Sequence, residues 1–194
     1  MSLFEGFGKI TRYEKVNAVI TEKLDGTNAC LAFDEDGVMT CQSRNRIIVP
    51  GDDNYGFAAW ATKANTDGEL FEFFGPGRHF GEWWGVGIQR GYGTAARYFS
   101  PFNTGVFNFD RDDFPSHVTP LPVLWQGPLS NLNVAVTDCM DDLVLYGSFT
   151  LPGLGWSPEG CMIWSHDTGY LKVPFDQSPK WAVGAAMAVP ESKL

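Results

Sequence analysis

Along the first 45 residues the apolar positions come in short runs of strand formers separated by polar turns. NAVITE (17–22), NACLAF (28–33) and VMTCQS (38–43) are three such runs. DEDG (34–37) is a turn signal between the second and third. Asp25-Gly26-Thr27-Asn28 is a polar turn after the first, so Lys23 falls at a strand end, just before the loop that opens the next strand. The period then changes. In DNYGFAAWATKAN (53–65), Phe57, Trp60 and Ala61 share one helical face, with Asp53 or Asn54 as the cap. ELFEFF (69–74) predicts a second short helix, which GPGR (75–78) breaks. HFGEWWGVGIQRGYG (79–93) starts as a strand and becomes a glycine-rich loop, and RYFSPFNTGVFNF (97–109) reads as a strand pair or an extended segment. PVLWQG (122–127) predicts a buried strand, and Ser130 caps a helix through LNVAVTDCMDDL. YGSFT, GCMIWS (160–165) and YLKVPF (170–175) complete the β content, and KWAVGAAMA (180–188) predicts a last helix. The sum is an α+β fold: an antiparallel β-sheet core with flanking helices, in a single domain over 1–194.

Composition narrows the class. Of 194 residues, 44% are hydrophobic and 14% aromatic, which suits a packed globular core and not a disordered chain. No run of about 18 apolar residues predicts a membrane span, and MSLFEGFGKITRYEK lacks the apolar core of a signal peptide. Cys30, Cys41, Cys139 and Cys161 form no CxxC pair, so no zinc site is expected and the four read as reduced thiols of a cytoplasmic protein. The closing SKL matches a peroxisomal address but reads as coincidence. A net charge of −9 argues against a non-specific grip on nucleic-acid backbone, which is mainly electrostatic. It leaves room for a local basic groove built from Arg44, Arg46, Arg90 and Arg97.

Six positions carry candidate chemistry, each with a bland reading beside it. Lys23 is a solvated charge beside a type I′-like Asp-Gly turn, or it is a nucleophilic amine facing a pocket between sheets. The second reading requires a neutral amine near neutral pH, hence burial or nearby cations. Glu82, in FGEWWG, is a wet strand-end carboxylate or a group that holds a sugar hydroxyl or a metal. Glu159, in SPEGCMIW, is a turn residue or a hard oxygen ligand for magnesium. Lys172 shares a strand face with Tyr170, opposite Leu171 and Val173; it points to solvent, or inward to bind phosphate. Arg44 and Arg46 alternate onto the face of Gln42, as surface charges or as phosphate forks. The three histidines have no ligand spacing, and no GxSxG, HExxH or P-loop occurs.

Taken in order, these signals resemble a known pattern. Lysine in K-x-D-G, an SR-containing strand, GE among aromatics, EG before an apolar strand and a lysine on the last core strand resemble the covalent nucleotidyltransferase superfamily. EKLDGTN, QSRNR, FGEWWGVGIQRGYG and VLWQG look most like RNA ligases of the second type, common in phages. The resemblance runs from about residue 20 to 175. It implies an ATP-grasp-like ligase catalytic domain and a reaction with ATP and Mg²⁺ (or Mn²⁺) through a lysyl–AMP intermediate, sealing 3′-hydroxyl and 5′-phosphate RNA ends. By this likeness Lys23 is the nucleophile, Lys172 contacts the α-phosphate and Glu159 helps to hold the metal. Glu22 lies at the adenine edge, and Asn28 near the phosphate or the RNA end. Arg44 touches the nucleotide, Glu82 the ribose, and Phe102, with Phe99 as rival, stacks on adenine. Arg46, Arg90 and Lys180 are candidate phosphate or RNA contacts. Two departures stand out. The second lysine of K-x-K is Pro174, and no clamp domain follows the motif, so a protein partner is a candidate source of the clamp. The alternatives are a DNA ligase, an adenylyltransferase that stops at the covalent intermediate, and a weakened module that binds nucleotides or nucleic-acid ends.

Overall fold

The computed structural model describes residues 17–150, 157–166 and 168–175. Its strands are β1 (Asn17–Glu22), β2 (Thr27–Phe33), β3 (Met39–Ser43), β4 (Ile47–Ile48), β5 (Gly77–Gly85), β6 (Arg97–Pro101), β7 (Val123–Pro128), β8 (Gly160–Ser165) and β9 (Gly169–Pro174). The helices are α1 (Phe57–Ala64), α2 (Glu69–Phe74) and α3 (Leu132–Tyr146). Two sheets form, in the orders β7-β1-β8-β9 and β4-β3-β2-β5-β6, and all their ladders are antiparallel. The α+β expectation holds.

Strand alternation decides what each sheet buries. In the five-stranded sheet, Ala29, Leu31 and Phe33 of β2 face α1 and α2, together with Cys41, Trp83 and Phe99. Phe57 of α1 packs edge-on to Trp83 at 5.4 Å, and Trp60 stacks on the same indole at 5.0 Å. Asp53 holds the start of α1: Ala58 and Ala59 donate their backbone N–H to its carboxylate at 2.9 and 2.8 Å. Those are first-turn donors without a partner inside the helix. In the four-stranded sheet, Ala18 and Ile20 of β1 and Cys161 and Ile163 of β8 lie under Ala135, Cys139, Met140 and Leu143 of α3. The four cysteines are free and buried.

Several expected elements come out differently. β1 and β2 do not form a hairpin; they belong to different sheets, and residues 23–26 cross from one to the other. A type I′ turn needs positive φ at both central residues, and neither Asp25 nor Gly26 has it. Over 97–109 only β6 forms. Pro101 ends the ladder, and the carbonyl of Asn103 then accepts from Val106 and Phe107 in a turn. PVLWQG gives an edge strand, half-exposed rather than buried, because a short apolar run does not distinguish edge from centre. Ser130 sits in a 3₁₀ turn, and Asn131 precedes α3 with no side-chain cap. YGSFT is no strand: the backbone N–H groups of Phe149 and Thr150 donate to the buried Glu22 carboxylate instead of a ladder. The helix expected over 180–188 and Lys180 lie outside the described residues.

Candidate active site

The crossover from β1 to β2 places the candidate reactive groups. The Lys23 backbone N–H donates to the Gly160 carbonyl at 2.8 Å, extending the β1–β8 ladder by one residue. Its Nζ lies 2.5 Å from Glu159 Oε2, with both side chains only about one-fifth exposed (20% and 19%). Glu159 is held from the far side, where Phe175 donates its N–H to the Glu159 carbonyl at 3.0 Å. Gly26 explains the Asp-Gly pair. A Cβ there would stand 2.4 Å from the Trp83 carbonyl oxygen, so only glycine lets the crossover lie against β5. The closeness makes a contact: the Gly26 N–H donates to Glu82 Oε1 at 3.1 Å, and Asn28 Nδ2 reaches Glu82 Oε2 at 3.5 Å.

Burial pushes the Glu82 carboxyl up to about 7. The Lys23 charge and the Gly26 N–H pull it back down, and Glu159 and Asp25 push it further up. Lys23, Glu82, Glu159 and Asp25 therefore share one electrostatic neighbourhood, and the fold brings the expected nucleophile and both expected acids together.

Register places Lys172. Lys172 pairs with Met162, and Met162 with Thr21, while Gly160 pairs with Pro174 and accepts from Lys23. Lys23 and Lys172 therefore occupy one face of the four-stranded sheet, two strands and one side-chain row apart, about 12 Å between Cα atoms. Lys172 is exposed. Pro174 falls in the row of Lys23, with Gly160 between them. A Cβ on Gly160 would stand 2.2 Å from the Val173 carbonyl oxygen, so that gap is closed by backbone alone.

The other expected residues divide. A cavity of about 310 Å³ opens over the five-stranded sheet, lined by Asn28, Cys30, Gln42, Arg44, Phe80 and Phe102. Phe102 and Phe80 also border a smaller cavity of about 120 Å³ with Tyr170, whose ring lies 6.3 Å from Phe102 and joins the two sheets across the cleft. Phe99 is a correction: it is 0% exposed, packed on Phe57, Trp60 and Phe74, and has no face to offer a base. Glu22 is fully buried on the α3 side, bonded to Phe149 and Thr150, and it does not line the cavity. Arg46 forks onto Asp52 at 2.7 and 2.8 Å, which closes its own turn, whereas Arg44 lines the cavity. Arg90 is held by Asp25 and by two backbone carbonyls, so it is tied down within the fold. Sequence reasoning missed Tyr92, whose Oη accepts from the Asp25 N–H at 2.6 Å. Its only sequence signal was an aromatic inside a glycine-rich loop.

A resident metal cage is not what these residues build: no group of three or more His, Cys, Asp or Glu gathers among the described residues. Glu159, with Glu82 nearby, fits a cation of the magnesium type. Such ions take one or two carboxylates and fill the rest of their shell with water and substrate phosphate.

Comparison with known proteins bears on the family and the fold. The family model described as RNA ligase matches residues 16–147. No curated protein is similar to the chain at a significant level. Among solved structures, an archaeal ATP-dependent RNA ligase superposes with a TM-score of 0.55 at 17% identity, over 88% of this chain and 48% of that one. An apo variant of Naegleria gruberi RNA ligase gives 0.54 at 18% identity, over 84% and 50%. Another variant of that enzyme, solved with ATP and Mn, gives 0.55 at 17% identity over the same shares. At this identity the likeness concerns the fold, and the chain spans about half the length of these structures. The family match covers more than half of the sequence, and the chain belongs to the RNA ligase family.

Proposed function

We propose that the chain is the ATP-dependent catalytic domain of an RNA ligase, single over 1–194, that works through a lysyl–AMP intermediate. The observation that carries this reading is the Lys23–Glu159 pair, held between two sheets beside Glu82 and the Asn28–Arg44–Phe102 cavity. The relatives of this fold described with ATP or AMP and Mn add support. Phe102 stacks on adenine, and Asn28 and Arg44 contact the nucleotide. Glu82 accepts from a ribose hydroxyl when ionised. Lys23 starts as the ammonium partner of Glu159 and has no lone pair until the pair opens and a proton leaves to solvent. The amine then attacks the α-phosphorus in line. A P–N bond forms, the bond to the bridging oxygen breaks, and pyrophosphate departs. Lys172, on the same sheet face, neutralises charge on the transferring phosphoryl. A divalent cation at Glu159 and the phosphates would supply further neutralisation and would compete with Lys23 for that carboxylate. AMP then passes to an RNA 5′-phosphate, and a 3′-hydroxyl displaces it.

The test is covalent labelling by ATP carrying label on its α-phosphate, with Mg²⁺ or Mn²⁺, read on the denatured protein. The expected result is label that disappears in Lys23→Ala. Label that survives the substitution sinks the reading. A second reading has one observation in its favour. Pro174, in the row of Lys23, offers no cation where the motif expects one. On that reading the chain is an adenylyltransferase that stops at the intermediate. Nicked RNA and DNA duplexes offered to labelled protein separate the two: sealing supports the ligase, and stable label with no sealing supports the transferase.

A further inference from the structure

The Arg90 guanidinium bridges the two chain segments that carry the Lys23–Glu159 pair. Its Nε donates to Asp25 Oδ2 at 2.9 Å, two residues after Lys23. Its Nη1 donates to the carbonyls of Ser157 and Pro158 at 3.3 and 3.5 Å, just before Glu159. The loop that presents it is itself anchored. Tyr92 is buried against Leu24, Trp84 and Leu121, and its Oη receives the Asp25 N–H at 2.6 Å. Gly91 and Gly93 have φ of 65° and 61°, and Tyr92 between them has 48°. That left-handed run costs free energy at a tyrosine. Here it turns Arg90 and Tyr92 onto the same aspartate.

We propose that Arg90 is a positioning residue for the transfer step, fixing the separation of Lys23 from Glu159 by tying their two segments together. The inference rests on the lysyl–AMP reading of the same site. For reaction Lys23 must leave Glu159 and turn to the α-phosphorus, while Glu159 stays within reach of the phosphates. The Lys23 N–H bond to the Gly160 carbonyl joins the two segments at one point, and Arg90 adds a second tie beyond it, without which the entering triphosphate is free to splay Asp25 from Ser157 and Pro158. The tie belongs to the step and not to ATP capture, because Asn28, Arg44 and Phe102 line a cavity that Arg90 does not border.

The test is single-turnover labelling of the full chain by α-labelled ATP, comparing wild type, Arg90→Ala and Arg90→Lys, with melting curves beside each. Arg90→Ala is expected to slow labelling about 100-fold, the scale of an ångström-sized misplacement. Its half-saturating ATP concentration should stay within about threefold of wild type. Arg90→Lys should recover part of the rate, since it keeps the Asp25 pair but cannot also span both carbonyls. Millimolar guanidinium should raise the rate of Arg90→Ala alone. Labelling at the wild-type rate overturns the proposal. So does a loss confined to ATP affinity, which would make Arg90 a phosphate contact, or a loss that only follows the unfolded fraction. Wild-type protein that takes no label overturns the lysyl–AMP reading instead. The tie is then judged by modification of Lys23 with an amine reagent, mapped by mass spectrometry. Modification several-fold faster in Arg90→Ala supports the tie, and equal rates overturn it.

Discussion

The two sheets are built differently and carry different parts of the site. The five-stranded sheet rests on an aromatic core of Phe57, Trp60, Trp83 and Phe99, with ring centroids 5.0–6.3 Å apart. On its other face it presents Asn28, Arg44, Glu82 and Phe102. The four-stranded sheet rests on alanine, cysteine, isoleucine and leucine under a single helix, and its edge strand β9 is largely exposed. It presents Lys23, Glu159 and Lys172. On the proposed reading, the heavily packed layer holds what grips a nucleotide, and the lighter layer holds what reacts with it. That reading separates binding from chemistry by sheet, so substitutions should separate ATP affinity from rate by sheet as well.

The largest expected effect is also the sharpest break of the comparison. Lys23→Ala should take no covalent label and yet bind ATP within about threefold of wild type by calorimetry, since its loss leaves the other sheet intact. Next comes a contrast inside the five-stranded sheet. Phe99→Ala should lower unfolding free energy by about 3–5 kcal/mol in denaturant titration, as buried phenylalanines do. Phe102→Ala should leave stability near wild type and weaken ATP about tenfold, the scale of one base–aromatic stack. Lys172→Ala should slow labelling about 100-fold with little change in ATP affinity. Loss of affinity instead would move Lys172 to the gripping layer and undo the separation.

The smallest effect is one of pH. Glu82 is raised from 4.5 to about 7, chiefly by burial. Its contribution to stability is therefore fully present below about pH 4.5 and lost as pH rises through about 7. Glu82→Gln should remove that slope. The melting temperature of the variant relative to wild type should climb by a few degrees between pH 5 and pH 8. A parallel pair of curves would mean that Glu82 is not held in its dry position.

Local signals gave most of the strands and both short helices, because apolar period and turn residues are written within a few neighbouring positions. The two-sheet division was not written there. Asp25-Gly26 has the composition of a hairpin turn, and only the close approach of Trp83 reveals that the glycine serves a crossover. Phe99 and Phe102 are equally aromatic in the sequence. What separates them is parity: Phe99 pairs with Trp83 and takes the core side. Arg46 looked free because its partner, Asp52, lies around a turn no spacing rule marks. Arg90 looked like an RNA contact because both of its tethered segments are remote in sequence. The order of Lys23, Glu82, Glu159 and Lys172 was legible; that the first three meet, and that Lys172 only shares the sheet face of Lys23, follows from register that the fold supplies.

The crossover has one more consequence. β1 ends at Glu22 and β2 begins at Thr27, so residues 23–26 make a shorter connection between the layers than the one from Pro101 to Val123. Five Cα steps reach about 17 Å at full stretch. The chain is thus its own ruler for the mouth of the cleft, and Lys23 is the first graduation on it. Any rocking of one layer against the other must pull on that short tether. A molecule wedged between the layers would therefore load the backbone at Lys23.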